Sequence, residues 1–409
     1  MTAFLTRIST GITGTSADRP PPATGRPVSG WAFAGVAVVS FGGPLALAAL
    51  YAPSIVAGAS ASAGLAMVAA VALFALPLTI WLRYARHISS SGGLYSFVEA
   101  AAGRRVALVQ AGFWIVSYLL YLLYTTTQIV YDTLPAVLPG ERRYQPLLEI
   151  AIPVALAGVM IAGRRTALLV TGALAAGQLA IAGALDGVTV THLATPVSSF
   201  GASAPAGSLA IASGQTALLY ICGSLPLFLG GELARPARTV PRTLIGVYLV
   251  TAVVILVAVA PLAIDPAIAR APIPGMSLAG QFVGHGFAVV VGVGVAASVA
   301  GVMLVEYLAL SRLVHAVTSW PLRPVIIAIG VALVAVAPVI LLNPQQIYRD
   351  LLTASLVALW VSQLIVFAVY PRFAARHGGR ALPAWTLAIV ATGFAVYGLW
   401  ATIQHSSSS

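Results

Sequence analysis

The chain has 409 residues, of which 59% are hydrophobic and 8% are charged, and its formal net charge is +11. This composition excludes a water-soluble globular protein and predicts an all-α integral membrane protein. The basic residues are all arginines in short clusters between apolar runs, which indicates topology signals and argues against a nucleic-acid-binding groove. The single cysteine, Cys222, excludes an intramolecular disulfide.

In chain order, a polar segment is followed by repeated apolar stretches. Residues 1–28 are rich in Pro, Gly, Ser and Thr and predict a disordered cytosolic tail. Each later stretch of roughly 20 apolar residues is long enough to cross the hydrocarbon core of a bilayer. Eleven transmembrane helices are predicted at residues 29–57, 62–84, 104–133, 146–163, 166–188, 208–231, 240–263, 285–313, 322–343, 351–371 and 382–403.

The arginines between these helices predict the orientation of the chain. With a cytosolic N-terminus, most of them fall in loops on the inner side, and the C-terminus lies outside. We expect a multi-pass protein of the bacterial cytoplasmic (inner) membrane, either a monomer or a homodimer. The inner arginines are Arg83, Arg86, Arg104, Arg105, Arg164, Arg165, Arg235, Arg238, Arg242, Arg312, Arg323, Arg372, Arg376 and Arg380.

Two predicted helices contain helix breakers at mid-depth. The first reads SFGGPL over residues 40–45, and the sixth reads ICGSLPL over residues 221–227. Glycine and proline cost about 1 and about 3 kcal/mol in a helix interior, so both segments are expected to unwind locally. Because the breaks are five helices apart, they indicate inverted five-helix repeats at residues 29–190 and 206–371, with an extra helix at 382–403. Close helix packing is the competing explanation for either break alone.

Three separated segments carry a recognisable pattern: VSFGGPLA at 39–46, SGGLYSFV at 91–98 and GELARPARTVPR at 231–242. They resemble amino acid permeases of the amino acid/polyamine/organocation (APC) superfamily, as does the Ser311-Arg312 pair. The resemblance covers roughly residues 29–371. It implies a five-plus-five inverted repeat with broken helices 1 and 6, alternating access and amino-acid-like substrates. The sequence departs from the family in its short loop at 315–321, in eleven helices instead of twelve, and in lacking a lysine on the fifth helix.

The breaks are the predicted substrate site. Freed N–H groups at a half-helix start suit a substrate carboxylate, and freed carbonyls at a half-helix end suit an ammonium. We expect the N–H groups near Gly42, Gly43 and Leu45 to face the carboxylate. The tyrosines of the third helix line the pathway or simply pack. The remaining candidate substrate-binding residues are Ser40, Phe41, Tyr118, Tyr121, Tyr220, Ile221, Cys222, Gly223 and Ser224.

Four residues are candidates for coupling or gating. Glu306 is a carboxylate inside the eighth helix, and acidic residues within membrane helices usually indicate a functional role. An ion pair with a cytosolic arginine is equally compatible with the sequence. Ser298 could join helix-one carbonyls in a sodium-like site. Glu232 is expected in a cytosolic charge network with Arg235, Arg238 or Arg312 that shapes the inner gate, and a plain solvated cluster is equally compatible with the sequence. The coupling ion, proton or sodium, stays open.

Motifs of other functional classes are missing from the sequence. It contains no Walker A loop, no His-Glu-x-x-His and no Gly-x-Ser-x-Gly, so no catalytic residues, metal ion or cofactor are expected. We expect a secondary transporter of a neutral amino acid, working by proton-coupled symport or exchange. A transporter of another small organic amine or acid, or a passive channel, is the alternative. A dication is disfavoured because Glu306 is almost the only acidic residue predicted within the membrane.

Overall fold

A computed structural model describes residues 27–138, 140–193 and 199–408. Apart from one β-bridge between Val28 and Leu233, the regular structure in this part of the chain is helical. The prediction of an all-α membrane protein is therefore confirmed. The predicted tail, residues 1–28, lies outside the described residues except for its last two positions.

The main helices are numbered in chain order. The first half contains α1 (Gly30–Ser40), α2 (residues 44–56), α3 (Ala63–His87), α4 (Leu94–Ala102), α5 (Arg104–Val137), α6 (Gln145–Ile161) and α7 (Arg164–His192). The second half contains α8 (Ala206–Leu218), the 3-10 helix α9 (Ile221–Glu232), α10 (Pro236–Leu262), α11 (Pro274–Phe282), α12 (His285–Thr318), α13 (Leu322–Ile340), α14 (Pro344–Arg376) and α15 (Ala381–Ser408).

Nine helical runs of the described chain are long and apolar enough to cross a membrane. One of them, Gly30–His87, has 58 residues, whereas about 20 suffice for a single crossing. Ser60 interrupts that run with a φ of 48°, so that α1–α2 and α3 are distinct segments. The predicted count of eleven takes this run as two crossings and includes α6, which has 17 residues. That count and the five-plus-five repeat stay predictions.

Two helices are longer than hydropathy alone indicates. α14 begins at Pro344 instead of 351, because the Asn343 side chain accepts a hydrogen bond from the Gln346 N–H and proline suits a first helical turn. α12 continues to Thr318 instead of 313 and ends where Ser319 adopts a left-handed conformation with φ 61°. Hydropathy marks only the apolar part of a helix, whereas capping marks its true end.

α12 lies at the centre of the packing. Residues 301–313 of α12 are all buried, and the helix packs against α1, α5, α7, α9 and α13. By contrast, α10 exposes Leu249, Val250 and Val253, as expected for a surface that faces lipid. The buried position of α12 places Glu306 inside the bundle.

Two of the segments that carry the family resemblance pack against each other. Gly93 has φ +50°, and a Cβ atom there would lie 2.6 Å from the Phe228 ring. A Cβ on Gly231 would lie 3.0 Å from the backbone nitrogen of Ser91. Because contacts this short leave no room for a side chain, glycine is required where α9 passes the start of α4.

Candidate substrate and gating site

The first interruption lies between α1 and α2. α1 ends at Ser40, Gly42 and Gly43 adopt φ values of 81° and 66°, and Pro44 begins the next helical segment. Side chains other than glycine rarely adopt such angles, which explains the paired glycines. The Gly43 N–H donates to the Val39 carbonyl at 2.9 Å. The expectation that this N–H is free for a substrate carboxylate is therefore wrong in this conformation.

The second interruption lies between α8 and α9. α8 ends at Leu218, and the chain continues as a 3-10 helix from Ile221. The Gly223 N–H donates to the Tyr220 carbonyl at 2.9 Å, and the Ser224 hydroxyl donates to the Ile221 carbonyl at 3.3 Å. These carbonyls keep a second lone pair, so they can still accept a hydrogen bond from an ammonium.

The two interruptions touch each other. A Cβ atom on Gly223 would lie 2.4 Å from Cε1 of Phe41. The Phe41 ring packs at 5.6 Å from Tyr248, and the Tyr220 ring packs at 5.6 Å from Phe74. The side chains of Phe41 and Tyr220 therefore belong to an aromatic cluster with α3 and α10, which leaves their backbone groups as the candidates for substrate contact.

Glu306 lies beside the second interruption. Its side chain is fully buried, and the Cys222 thiol donates to its Oε1 at 3.7 Å. Its other oxygen, Oε2, has no hydrogen-bond partner within the described chain. A buried polar atom without a partner is costly, so such an atom calls for an explanation such as a ligand-binding role. The interpretation of Glu306 as half of an ion pair with arginine does not fit these contacts.

Tyrosines of α5 surround the same carboxylate. Tyr118, Tyr121 and Tyr124 all lie within electrostatic range of Glu306 and Cys222. Their rings form a continuous row, with centroid separations of 6.2 Å and then 4.9 Å. The Tyr118 hydroxyl is buried and makes no hydrogen bond to a described residue. The structure thus brings the predicted residues Tyr118 and Tyr121 to Cys222 and Glu306.

Ser298 lies at the first interruption and not beside Glu306. Its hydroxyl donates to Oε1 of Gln178 on α7 at 2.6 Å and accepts from the Ala46 N–H at 3.4 Å. A Cβ atom on Gly43 would lie 2.3 Å from the same hydroxyl. Eight residues separate Ser298 from Glu306, about 12 Å along the helix axis at 1.5 Å per residue. Leu45 is fully buried and packs close to Gly294.

Glu232 links three segments at the arginine-rich end of the bundle. Its carboxylate pairs with Arg312 Nε at 2.5 Å and with Arg164 at 3.0 Å. The backbone carbonyl of the same residue accepts from the Val28 N–H at 2.9 Å. Of the three predicted partners, the structure pairs Glu232 with Arg312, and it adds Arg164, which the sequence analysis did not consider. The gating role of the pair stays a prediction.

A second buried carboxylate, Glu149, was not predicted from the sequence. Glu149 on α6 is fully buried, accepts a hydrogen bond from the Thr127 hydroxyl at 2.9 Å, and leaves its Oε2 without a partner in the described residues. Asp186 on α7 likewise has one buried, unpartnered oxygen. Glu306 therefore shares the interior of the described bundle with other acidic side chains, while its place as almost the only acidic residue within the membrane stays a prediction. Glu149 is the fifth of the 17 residues of α6, so its position in the sequence indicates a residue close to the preceding loop.

A cavity of about 490 Å³ opens at the end of the bundle opposite the arginine-rich face. It reaches Ile221, the direct neighbour of Cys222, and its walls come from α2, α8, α14 and α15. α14 shows which end this is. The residues of α14 that line the cavity lie in the first half of the helix, whereas Arg376, which belongs to the arginine-rich face, lies at its last position. Its main lining residues are Ile55, Gln215, Leu218, Ile221, Asp350, Leu356 and Trp360.

Comparison with known proteins identifies a transporter fold. The chain is similar in structure to a Na+-coupled sialic acid symporter in a substrate-bound, outward-open state, with a TM-score of 0.58 and 12% sequence identity. The match covers 92% of this chain and 90% of that chain. At such low identity the likeness concerns the fold. No protein-family model matches the chain, and no curated protein matches it.

Proposed function

We propose that the chain is a secondary active transporter that moves a small organic solute by alternating access. One observation carries this proposal: the two helix interruptions pack against each other, and the second lies beside the buried Glu306, between the ion pairs of Glu232 at one end of the bundle and a cavity at the other. Interrupted helices at membrane depth are tolerated where they line a binding site. The fold shared with a symporter supports the same function.

The substrate proposed is a neutral amino acid or a related amine. Glu306 offers a carboxylate oxygen to an ammonium, and carbonyls at Tyr220 and Ile221 lie nearby in the chain. None of the residues gathered at Glu306 is basic, so an acid without an ammonium would bind through N–H groups and hydroxyls alone. The resemblance to amino acid permeases favours the amine. Sialic acid, the substrate of the structural neighbour, is the competing class.

Two candidates exist for the coupling ion. Glu306 favours a proton, because a buried carboxylate with an unpartnered oxygen can take up and release one. Ser298 favours sodium, because its hydroxyl lies against the backbone of the first interruption, and the structural neighbour is Na+-coupled. Oxygen ligands from hydroxyls and carbonyls suit a hard cation. The proton is our first choice because the carboxylate lies beside the proposed substrate groups.

The test is transport by the purified protein in proteoliposomes. Labelled neutral amino acids and labelled sialic acid are offered separately, under an acid-outside gradient without sodium and under a sodium gradient at equal pH. Amino acid accumulation in the first condition supports both the substrate and the proton. Sialic acid accumulation would overturn the substrate proposal, and dependence on sodium would overturn the proton. If neither gradient drives uptake and preloaded solute does not exchange, the transporter proposal itself fails.

The coupling role of the carboxylate is tested by Glu306→Gln. We expect proton-driven accumulation to be lost, because the amide cannot carry the proton, and counterflow to require a higher substrate concentration, because the amide attracts the substrate ammonium less strongly than the carboxylate does. Glu149→Gln is the matched control, since it removes a second buried carboxylate that is bound to Thr127 and lies outside the two interruptions. Persistent accumulation in the Glu306 variant, or its loss in the Glu149 variant alone, would move the coupling site away from Glu306.

A further inference from the structure

A second cavity lies at the arginine-rich end of the bundle, between α3, α14 and α15. It measures about 310 Å³, within the range of small-ligand pockets, and no acidic side chain lines it. Its basic lining residues are Arg83, Arg86, His87, His377 and Arg380. Apolar residues line the cavity as well, and these include Phe373, Ala374, Pro383 and Ala384.

Basic groups from distant parts of the chain converge on this cavity. The rings of His87 and His377 lie 4.7 Å apart, and Arg83 donates to the Tyr370 hydroxyl at 2.9 Å. Among the described residues both ion pairs involve Glu232, so no carboxylate pairs with the three arginines of the cavity. The three guanidinium groups carry fixed positive charge at the same cavity, and a bound anion would reduce their mutual repulsion.

The start of α15 adds to this positive field. α15 has 28 residues and begins at Ala381, directly after Arg380, and Pro383 and Ala384 of its first turn line the cavity. The helix dipole places partial positive charge at this end of α15, which favours an anion. Arginines at the ends of membrane helices are usually topology signals exposed to water, as Arg105 and Arg165 are here. Arg86 and Arg380 are exposed as well, and what distinguishes them is that they line one cavity together with Arg83.

We propose that this cavity binds a phosphate group. Guanidinium groups pair with phosphate through directional, charge-assisted hydrogen bonds, and the apolar lining residues Phe373 and Pro383 suit the glycerol or acyl part of a lipid. The same chemistry accepts either the headgroup of an anionic phospholipid or free phosphate. Basic pockets between membrane helices on the cytoplasmic side are suited to anionic lipid headgroups. The proposal is independent of the transported substrate.

The experiment measures thermal unfolding of the purified full-length protein in detergent. Three additions are compared: phosphatidylglycerol, phosphatidylcholine and inorganic phosphate. Binding to the folded state raises the melting temperature, because it adds a stabilisation that grows with the logarithm of one plus the ratio of ligand concentration to Kd. We expect phosphatidylglycerol to raise it and phosphatidylcholine to leave it unchanged. A comparable rise with inorganic phosphate would identify a soluble phosphate compound as the source, and no rise with either anionic addition would overturn the proposal.

Matched variants assign the effect to the cavity. The pocket variant is Arg86→Gln with Arg380→Gln, and the control is Arg105→Gln with Arg165→Gln, which removes the same charge from exposed positions of the same face. We expect the apparent affinity of the pocket variant to fall about tenfold or more, as lost charge-assisted bonds predict. The single variants replace the pair if it does not fold. Equal affinity in the pocket and control variants would overturn the proposal.

Discussion

The two helix interruptions use glycine for different reasons. At the first, Gly42 and Gly43 adopt φ values of 81° and 66°, so the backbone itself requires glycine. At the second, the 3-10 helix has no residue with positive φ, and Gly223 is required because the Phe41 ring occupies the space of a Cβ atom. The first interruption is thus a property of the backbone, and the second is a property of a contact between two segments.

This difference determines which substitutions can be rescued. A steric conflict with one side chain can be relieved by shortening that side chain, whereas a backbone angle cannot be corrected from outside. The two interruptions also face different polar groups, Ser298 at the first and Glu306 at the second. Substitution of glycine is therefore expected to have different consequences at the two interruptions.

The largest effect is expected for Gly43→Ala. Alanine at a positive φ costs about 1–2 kcal/mol, and its Cβ would lie 2.3 Å from the Ser298 hydroxyl, which adds an overpacking cost of about 1–3 kcal/mol. We expect transport in proteoliposomes to fall about tenfold or more, since each 1.4 kcal/mol is a factor of ten. Adding Ser298→Ala should not restore it, because the backbone angle remains.

Gly112→Ala is the control for that variant. Gly112 is an exposed helical glycine of α5 with open space around it, so alanine should leave transport unchanged. Normal transport by Gly43→Ala, or its full recovery in the double variant with Ser298→Ala, would show that the backbone angle does not matter.

A smaller and rescuable effect is expected for Gly223→Ala. The added methyl would lie 2.4 Å from the Phe41 ring, and overpacking of this kind costs about 1–3 kcal/mol. We expect a lowered melting temperature and weaker counterflow. Gly223→Ala combined with Phe41→Leu should be more stable than Gly223→Ala alone. If the double variant is no better than the single one, the proposed contact does not explain the glycine.

The smallest effects are expected for substitutions of the two serines, Ser298 and Ser224. Ser298→Ala removes a 2.6 Å hydrogen bond to Gln178 and leaves that amide oxygen without its partner, at a cost of about 1–3 kcal/mol. Ser224→Ala removes a 3.3 Å bond within its own segment and should cost about 0.5 kcal/mol. Melting temperatures of both variants check this order. Similar shifts would indicate that the two interruptions are stabilised alike.

Several features of the site could be predicted from sequence because they are local. The apolar runs, the Gly-Gly-Pro break and the carboxylate at 306 are each visible within a few residues. The pairing of Glu232 with Arg164 was not predicted, because the sequence does not show which of the arginines at that end of the bundle packs against α9. The burial of Glu149 was also missed, since α6 buries that side chain through contact with Thr127 of α5.

The sequence alone determined that this is a membrane protein and that its fold is all-α, because the length of apolar segments and their helix propensity are properties of short stretches of sequence. The tertiary structure decided which side chains share a site: Cys222 and Tyr118 with Glu306, Ser298 with Gly43, and Phe41 with Gly223. These pairings depend on how helices rotate and cross in the bundle. Residues at the same predicted depth in the membrane can face different neighbours, and the packing of the helices decides which neighbour each residue contacts.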